Sequence, residues 1–174
     1  MLRLAFDFII TWRETRTRPN AYSLTMAEDI KFRHTMPVQI RFSDVDQFGH
    51  MNNSVYFSLY DLAKTTYIKD VLGSADWSKL AIVVANINAN FFMPVFFSDH
   101  LVIETAVVHL GHKSFTLLQR AVTTDTHEVK CECRTVMVGY DLATKEPKLI
   151  SEDYKEAICR YEEKTLEELS KERK

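Results

Sequence analysis

Val38-Gln39-Ile40-Arg41-Phe42-Ser43 alternates apolar and polar residues, and Asp44-Val45-Asp46-Gln47-Phe48-Gly49-His50-Met51-Asn52-Asn53 then replaces the alternation with a polar, glycine-containing run. The first stretch reads as a half-buried strand and the second as a loop. From Asn53 onward the period changes. Val55, Leu59 and Leu62 recur at helical spacing, and Tyr56, Tyr60, Ala63 and Tyr67 widen the apolar face. So broad a face predicts a helix over 53–72 that is largely wrapped by other structure. Asn52 or Asn53 suits the N-cap, and Gly73 suits the left-handed residue that ends a helix.

Working outward, four strand-like runs follow at 80–92, 100–110, 114–124 and 130–141. Turn signals at Gly111-His112 and at Asp125-Thr126-His127 predict antiparallel hairpins between them. Residues 151–174 read as a further helix, with Tyr154, Ala157, Ile158 and Tyr161 as its apolar stripe. Beyond Glu162 the chain is almost wholly charged, which predicts a solvated end. A strand, a long helix, four strands and a helix define an α+β class. The expected architecture is a curved antiparallel sheet of about five strands wrapped around one long central helix, plus a C-terminal helix.

The chain has 174 residues, 46% of them apolar and 26% charged, with a formal net charge of -2. That suits one domain with one core. It gives no electrostatic reason to expect nucleic acid as a partner, and no apolar run has the length of a membrane span. Cys131, Cys133 and Cys159 are odd in number and lack zinc-like spacing. Cys131 and Cys133 alternate in a strand and share a face, where they are badly placed to pair with each other. Free thiols in a reducing cytoplasm are the simplest expectation.

Residues 1–25 differ from the rest. Leu4-Ala5-Phe6-Asp7-Phe8-Ile9-Ile10 is followed by Arg13, Arg16 and Arg18, and Asp7 interrupts the apolar run. A secretory signal fits poorly, because no small-residue cleavage site follows. An organellar presequence is an alternative. The preferred reading is an N-terminal appendage ahead of a natural beginning at Met26-Ala27-Glu28-Asp29, with the domain at 26–150 and the C-terminal helix with its charged tail at 151–174. A chain lacking 1–25 is expected to stay folded and active. Loss of solubility or of oligomeric state in the truncated protein would show the segment to be integral.

The strand-to-helix loop carries the chemistry. It sets two carboxylates, a histidine and two amides between a strand end and a helix start. Gly49 lets the backbone turn sharply or approach a ligand. The first turn of a buried helix offers unpaired N–H groups and a positive dipole end. Such donors stabilise an oxyanion developing from a carbonyl, while a nearby carboxylate attacks that carbonyl or activates water. These parts suffice for acyl transfer to water without metal or serine. Taken singly, Asp46 fits a loop cap better than a catalytic group, and the whole motif reverses that preference. Asp44 fits a structural role, bonding loop N–H groups, and His50 fits either substrate contact or loop packing. His109-Leu110-Gly111-His112 lacks a third ligand, so no metal site is expected there. Ser114 needs no role beyond its strand. Phe91, Phe92, Phe96, Phe97 and Phe115 read as core or as acyl-pocket lining, core being the simpler choice.

The whole run from Val38 through Asn53 to Ser54-Val55-Tyr56 resembles the signature of hotdog-fold thioesterases of the 4-hydroxybenzoyl-CoA thioesterase-like branch: a strand, D-x-D-x-x-G, two apolar-or-His positions, often N-N, then a Tyr early in the helix. Phe91-Phe92-Met93-Pro94 followed by Asp99 resembles that family's aromatic-Pro-loop-Asp element, and Gly111-His112-Lys113-Ser114-Phe115 its third-to-fourth-strand hairpin. The resemblance covers residues 36–150. It implies hydrolysis of an acyl-CoA thioester, with Asp46 as nucleophile or general base and a backbone N–H near Asn53 as oxyanion donor. It implies that Gly49, His50, Asn52 and Tyr56 meet the substrate, that no cofactor is needed, and that the chain works as a homodimer or homotetramer with sites at subunit interfaces. Many members carry Glu where this chain has Asp61 and Arg where it has Lys64, which puts any role for Asp61 in doubt. The His50-Met51-Asn52-Asn53 form also occurs in fatty acyl branches, including acyl-carrier-protein thioesterases. An acyl-carrier-protein thioesterase is therefore the alternative. A hotdog dehydratase or a non-catalytic acyl-thioester binder stands further off.

Overall fold

A computed structural model describes residues 30–73 and 81–171. The chain divides after Ile30, and the second unit begins at Lys31. The reading of residues 1–25 lies outside the described residues.

The elements run β1 (His34–Val38), a 3-10 turn (Phe42–Asp44), α1 (Asn53–Leu72), β2 (Ile82–Phe91), β3 (Leu101–Leu110), β4 (Ser114–Thr123), β5 (Val129–Gly139), α2 (Glu152–Glu162) and α3 (Leu166–Ser170). All five strands form one sheet in the order β1-β3-β4-β5-β2, with every neighbouring pair antiparallel. This is the curved-sheet-and-central-helix architecture expected. The described helices include none long and apolar enough to cross a membrane, a test that does not address β-barrels.

The helix bounds follow from capping. The Asn52 side chain accepts the Ser54 N–H at the start, and Gly73 takes φ 71 at the end. On the sheet-facing side of α1, Tyr56, Tyr60, Ala63, Tyr67, Ile68 and Val71 are buried. Two core clusters flank the helix. One joins Tyr67, Ile68 and Val71 to Val107, Leu117, Met137, Tyr154 and Ile158. The other joins Tyr56, Tyr60 and Ala63 to Met51, Val95, Ile103, Cys131 and Cys133. Buried tyrosines bring hydroxyls that need partners. The Tyr60 hydroxyl donates to the Cys131 carbonyl at 3.1 Å, and from below the Gln119 amide donates to the Tyr60 carbonyl at 2.9 Å. Cys131 and Cys133 share the inner face and are free. Burial pushes the Cys131 thiol up to about 12, which leaves it unreactive at neutral pH.

Four features depart from the sequence reading. The first strand lies upstream, at His34–Val38, because Asp44 draws residues 42–44 into a 3-10 turn. β2 does not form a hairpin with β3. It crosses to the far side of the sheet and pairs with β5, while β1 takes the place beside β3. Leu62, read as part of the buried apolar face of α1, is 54% exposed, and Phe57 is 38% exposed. The C-terminal helix is broken where Glu163 adopts φ 51, and a Thr165–Glu168 capping box starts α3.

β2 is an open edge. Residues Val83 to Asn88 are exposed, and among the described residues the strand's second row of backbone groups has no partner strand. Ile87, Ala89 and Phe91 lie opposite Thr135, Cys133 and Cys131, on the α1 side of the sheet. Asn86, Asn88 and Asn90 lie opposite Val136, Arg134 and Glu132, on the other side.

Candidate active site

Asp44, Asp46 and the start of α1 are brought together by a loop that is closed by backbone hydrogen bonds. Val45 bridges Met51, and His50 bridges Phe96. The Asp46 N–H donates to the His50 carbonyl at 3.0 Å, and the Gly49 N–H donates to the Asp46 carbonyl at 3.0 Å. Gly49 holds φ 85 in open space, so glycine is required there for its backbone conformation and not for room. The Met51 N–H donates to the Val95 carbonyl at 2.7 Å, which ties the loop to the Phe-rich segment before β3.

Asp44 is the anchor. It is only 3% exposed and receives the Arg41 guanidinium at 2.9 Å and the Arg41 N–H at 2.8 Å. Its own carbonyl accepts the Asn52 N–H at 2.9 Å. Burial alone would raise its pKa, but the Arg41 hydrogen bonds and charge outweigh that and hold the carboxyl below the usual range. A depressed folded-state pKa means that its stabilising contribution is present above the ordinary carboxylate range and is lost as pH falls through the depressed value. Asp44→Asn is expected to lower the melting temperature by several degrees at neutral pH and to flatten the acid limb of the stability curve. Turnover per folded molecule should change far less. Melting curves against pH, alongside rates, test this.

Asp46 differs. One carboxylate oxygen accepts the Phe48 N–H at 2.8 Å. The other lies 3.9 Å from His50 Nδ1, beyond hydrogen-bond length, and the side chain stays 28% exposed. The carboxylate is thus fixed by one oxygen, and the second makes no hydrogen bond among the described residues. His50 is held between Asp46 and the Phe48 ring, which stacks on it at 6.3 Å. Asn52 is occupied as the N-cap, accepting from both the N–H and the hydroxyl of Ser54. The Asn53 N–H, first of the helix, has no acceptor among the described residues. That leaves a donor at the positive helix end, on the stretch the loop delivers.

Tyr56 is buried, edge-on to Phe91 at 5.3 Å and tilted against Tyr60, so it supports the helix start from within. Asp61 is paired with Lys64 at 2.6 Å on the helix surface. The reading of the residues missed the Val95–Phe96 backbone, which fixes Met51 and His50 through main-chain atoms that carry no sequence signal. It also missed the Arg41–Asp44 clamp, whose i,i+3 spacing was a legible clue. Among the described residues no three His, Cys, Asp or Glu side chains converge as a metal site.

A five-stranded antiparallel sheet curved over one long central helix is the hotdog fold. Residues 40–158 match the thioesterase-like superfamily, and the chain belongs to that family. It is 26% identical over 124 residues to the long-chain acyl-CoA thioesterase FadM of Escherichia coli (strain K12), covering 70% of this chain and 93% of that protein. It superposes with a TM-score of 0.70 on a thioesterase from Thermus thermophilus complexed with coenzyme A and Zn, at 26% identity over 78% of this chain and 98% of that one. A mutant 4-hydroxybenzoyl CoA thioesterase complexed with 4-hydroxybenzoyl CoA shares the fold with a TM-score of 0.63, at 21% identity over 71% of this chain and 96% of that chain.

Proposed function

We propose that the protein hydrolyses acyl-CoA thioesters to the free acid and CoA, with Asp46 as the catalytic carboxylate. An acyl-CoA thioesterase activity accords with the family, with the long-chain acyl-CoA thioesterase it resembles, and with the coenzyme A complex of its structural relative. One observation carries the assignment of residues: Asp46 has a single committed oxygen, and the loop that holds it leads directly to the unpaired Asn53 N–H. A thioester carbonyl placed at that N–H has its oxygen polarised by the helix end. The free Asp46 oxygen then attacks the carbonyl carbon, and the C–S bond breaks to release CoA thiolate, which takes a proton from water. Water cleaves the resulting anhydride and regenerates the carboxylate. In the general-base variant, Asp46 takes the proton from a water that attacks directly. Gly49 and His50 form the rim, and the Asn52 cap and buried Tyr56 hold the helix start in register.

The same reading makes the working unit a dimer or tetramer in the cytoplasm. The unpaired edge of β2 supports it: a long, partly apolar edge strand calls for a partner, and pairing two copies across β2 would bring both α1 helices onto one face of a continuous sheet. A panel of acyl-CoA and acyl-carrier-protein thioesters, followed by release of free thiol, tests the function. Turnover of acyl-CoA substrates in preference supports the reading. Turnover confined to carrier-protein thioesters would replace it with the acyl-carrier-protein enzyme.

A further inference from the structure

Away from the loop, α2 ends on a carboxyl group that the chemistry of the site does not use. Glu162 is 3% exposed. One of its oxygens accepts the Tyr67 hydroxyl of α1 at 2.5 Å and the Val107 N–H of β3 at 2.8 Å. The place is set by the sheet. β1 stops at the His34–Thr105 pair, and β3 bulges between Val107 and His109, so the Val107 N–H lies beyond the end of its neighbour strand. Glu162 supplies the acceptor that a longer β1 would have supplied.

The other Glu162 oxygen is buried without a hydrogen-bond partner among the described residues. Nor does any described cation neutralise the carboxyl at contact distance. Arg33, just before β1, gives its Nε to the Glu162 main-chain carbonyl at 3.3 Å and its terminal nitrogen to the exposed Glu163. Lys164 and Arg33 act on the group only as charges at a distance. From β1, His34 is buried edge-on to Tyr67 at 5.7 Å, with Nδ1 unpartnered among the described residues and Nε2 3.7 Å from Asp70 of α1. Tyr161 of α2 packs edge-on to Tyr67 at 5.4 Å. β3 presents only a backbone N–H, and α3 contributes Leu169 to the same core cluster.

We propose that Glu162 is a proton-operated latch: as the neutral acid it fastens the C-terminal helices to α1 and β3, and its ionisation loosens them. A buried hydroxyl without an acceptor costs less than a buried charge without a counter-ion, so the geometry selects the protonated form. Burial accordingly moves the carboxyl upward, against the opposing hydrogen bonds from Tyr67 and Val107 and the more distant charges of Lys164 and Arg33. A folded-state pKa above the unfolded value means that the folded state holds the proton more tightly. The latch is therefore complete below the ordinary carboxylate range and is lost as pH rises through the elevated value.

Glu162→Gln tests the latch, because glutamine keeps the accepting oxygen and cannot ionise. Melting temperatures of the full-length wild type and variant should coincide in mildly acidic buffer. They should separate as pH rises, with the variant melting several degrees higher in alkaline buffer. His34 titrates in both proteins, so its opposing contribution cancels in the difference. A difference that does not change with pH overturns the proposal. Should the variant fail to fold, wild-type hydrogen exchange decides. Protection of the α2 amides, corrected for intrinsic rates, should fall with rising pH before that of β3 to β5, and a pH-independent ratio overturns the proposal.

Discussion

Asp46→Asn should lower turnover by roughly a hundredfold or more, the scale of losing a general base or nucleophile, while the protein stays folded and assembled. The amide has the same shape. It keeps an oxygen for the Phe48 N–H, the one contact that holds the side chain, so the loop's backbone bridges to Met51 and Phe96 have no reason to break. What disappears is the basic oxygen that makes no hydrogen bond among the described residues. Because the Asn53 N–H remains, residual rate above the uncatalysed reaction should persist from oxyanion stabilisation alone. Thiol-release rates together with melting curves decide the point. A folded Asp46→Asn enzyme with near-normal turnover removes the centre of the proposed mechanism.

The second large effect concerns the edge of the sheet. Ile87→Lys is expected to yield a monomer with most of its activity lost. Ile87 is 43% exposed within the single chain, on the same face as α1, so a lysine there has little to disturb inside one copy. In an antiparallel pair of β2 strands related by a two-fold axis, it would set like charges close to one another in a region that has lost its water. Each ~1.4 kcal/mol so introduced weakens association about tenfold. Light scattering and activity measured across a dilution series test both halves of the expectation. An Ile87→Lys protein that remains dimeric and active would show that β2 is not the contact.

The two ends of α1 show what a sequence exposes and what it hides. The helix, its Asn52 cap and its Gly73 stop were legible because periodicity and capping are local properties. So was the Asp44-to-Asn53 loop, where polar residues crowd between two periodic segments. The placement of β2 was not legible, because pairing with β5 in place of β3 depends on which partner lies across the sheet. Its alternating asparagines, Asn86, Asn88 and Asn90, register the two faces but not the neighbour. β1 was misplaced because the Arg41–Asp44 clamp, a local i,i+3 charge contact, overrode the alternation through Phe42. Glu162 marked only the point beyond which the charges crowd, and the structure buries it. A single acid in a run of acids carries no mark of being the one that turns inward.

The strand order also sets the path by which the chain reaches this arrangement. β3, β4 and β5 follow one another through short turns, so their ladders close with little loss of loop entropy. The outer strands must search further, since His34 pairs with Thr105 and Ile82 with Gly139. The three-strand meander is therefore the expected nucleus, with β1 and β2 adding to its two margins late, as non-local pairings do. The carboxylate loop lies between those two latecomers, anchored by Met51 to a segment that leads directly into β3. Its geometry is among the last to be completed, and a partly folded chain has a meander without the carboxylate loop in place.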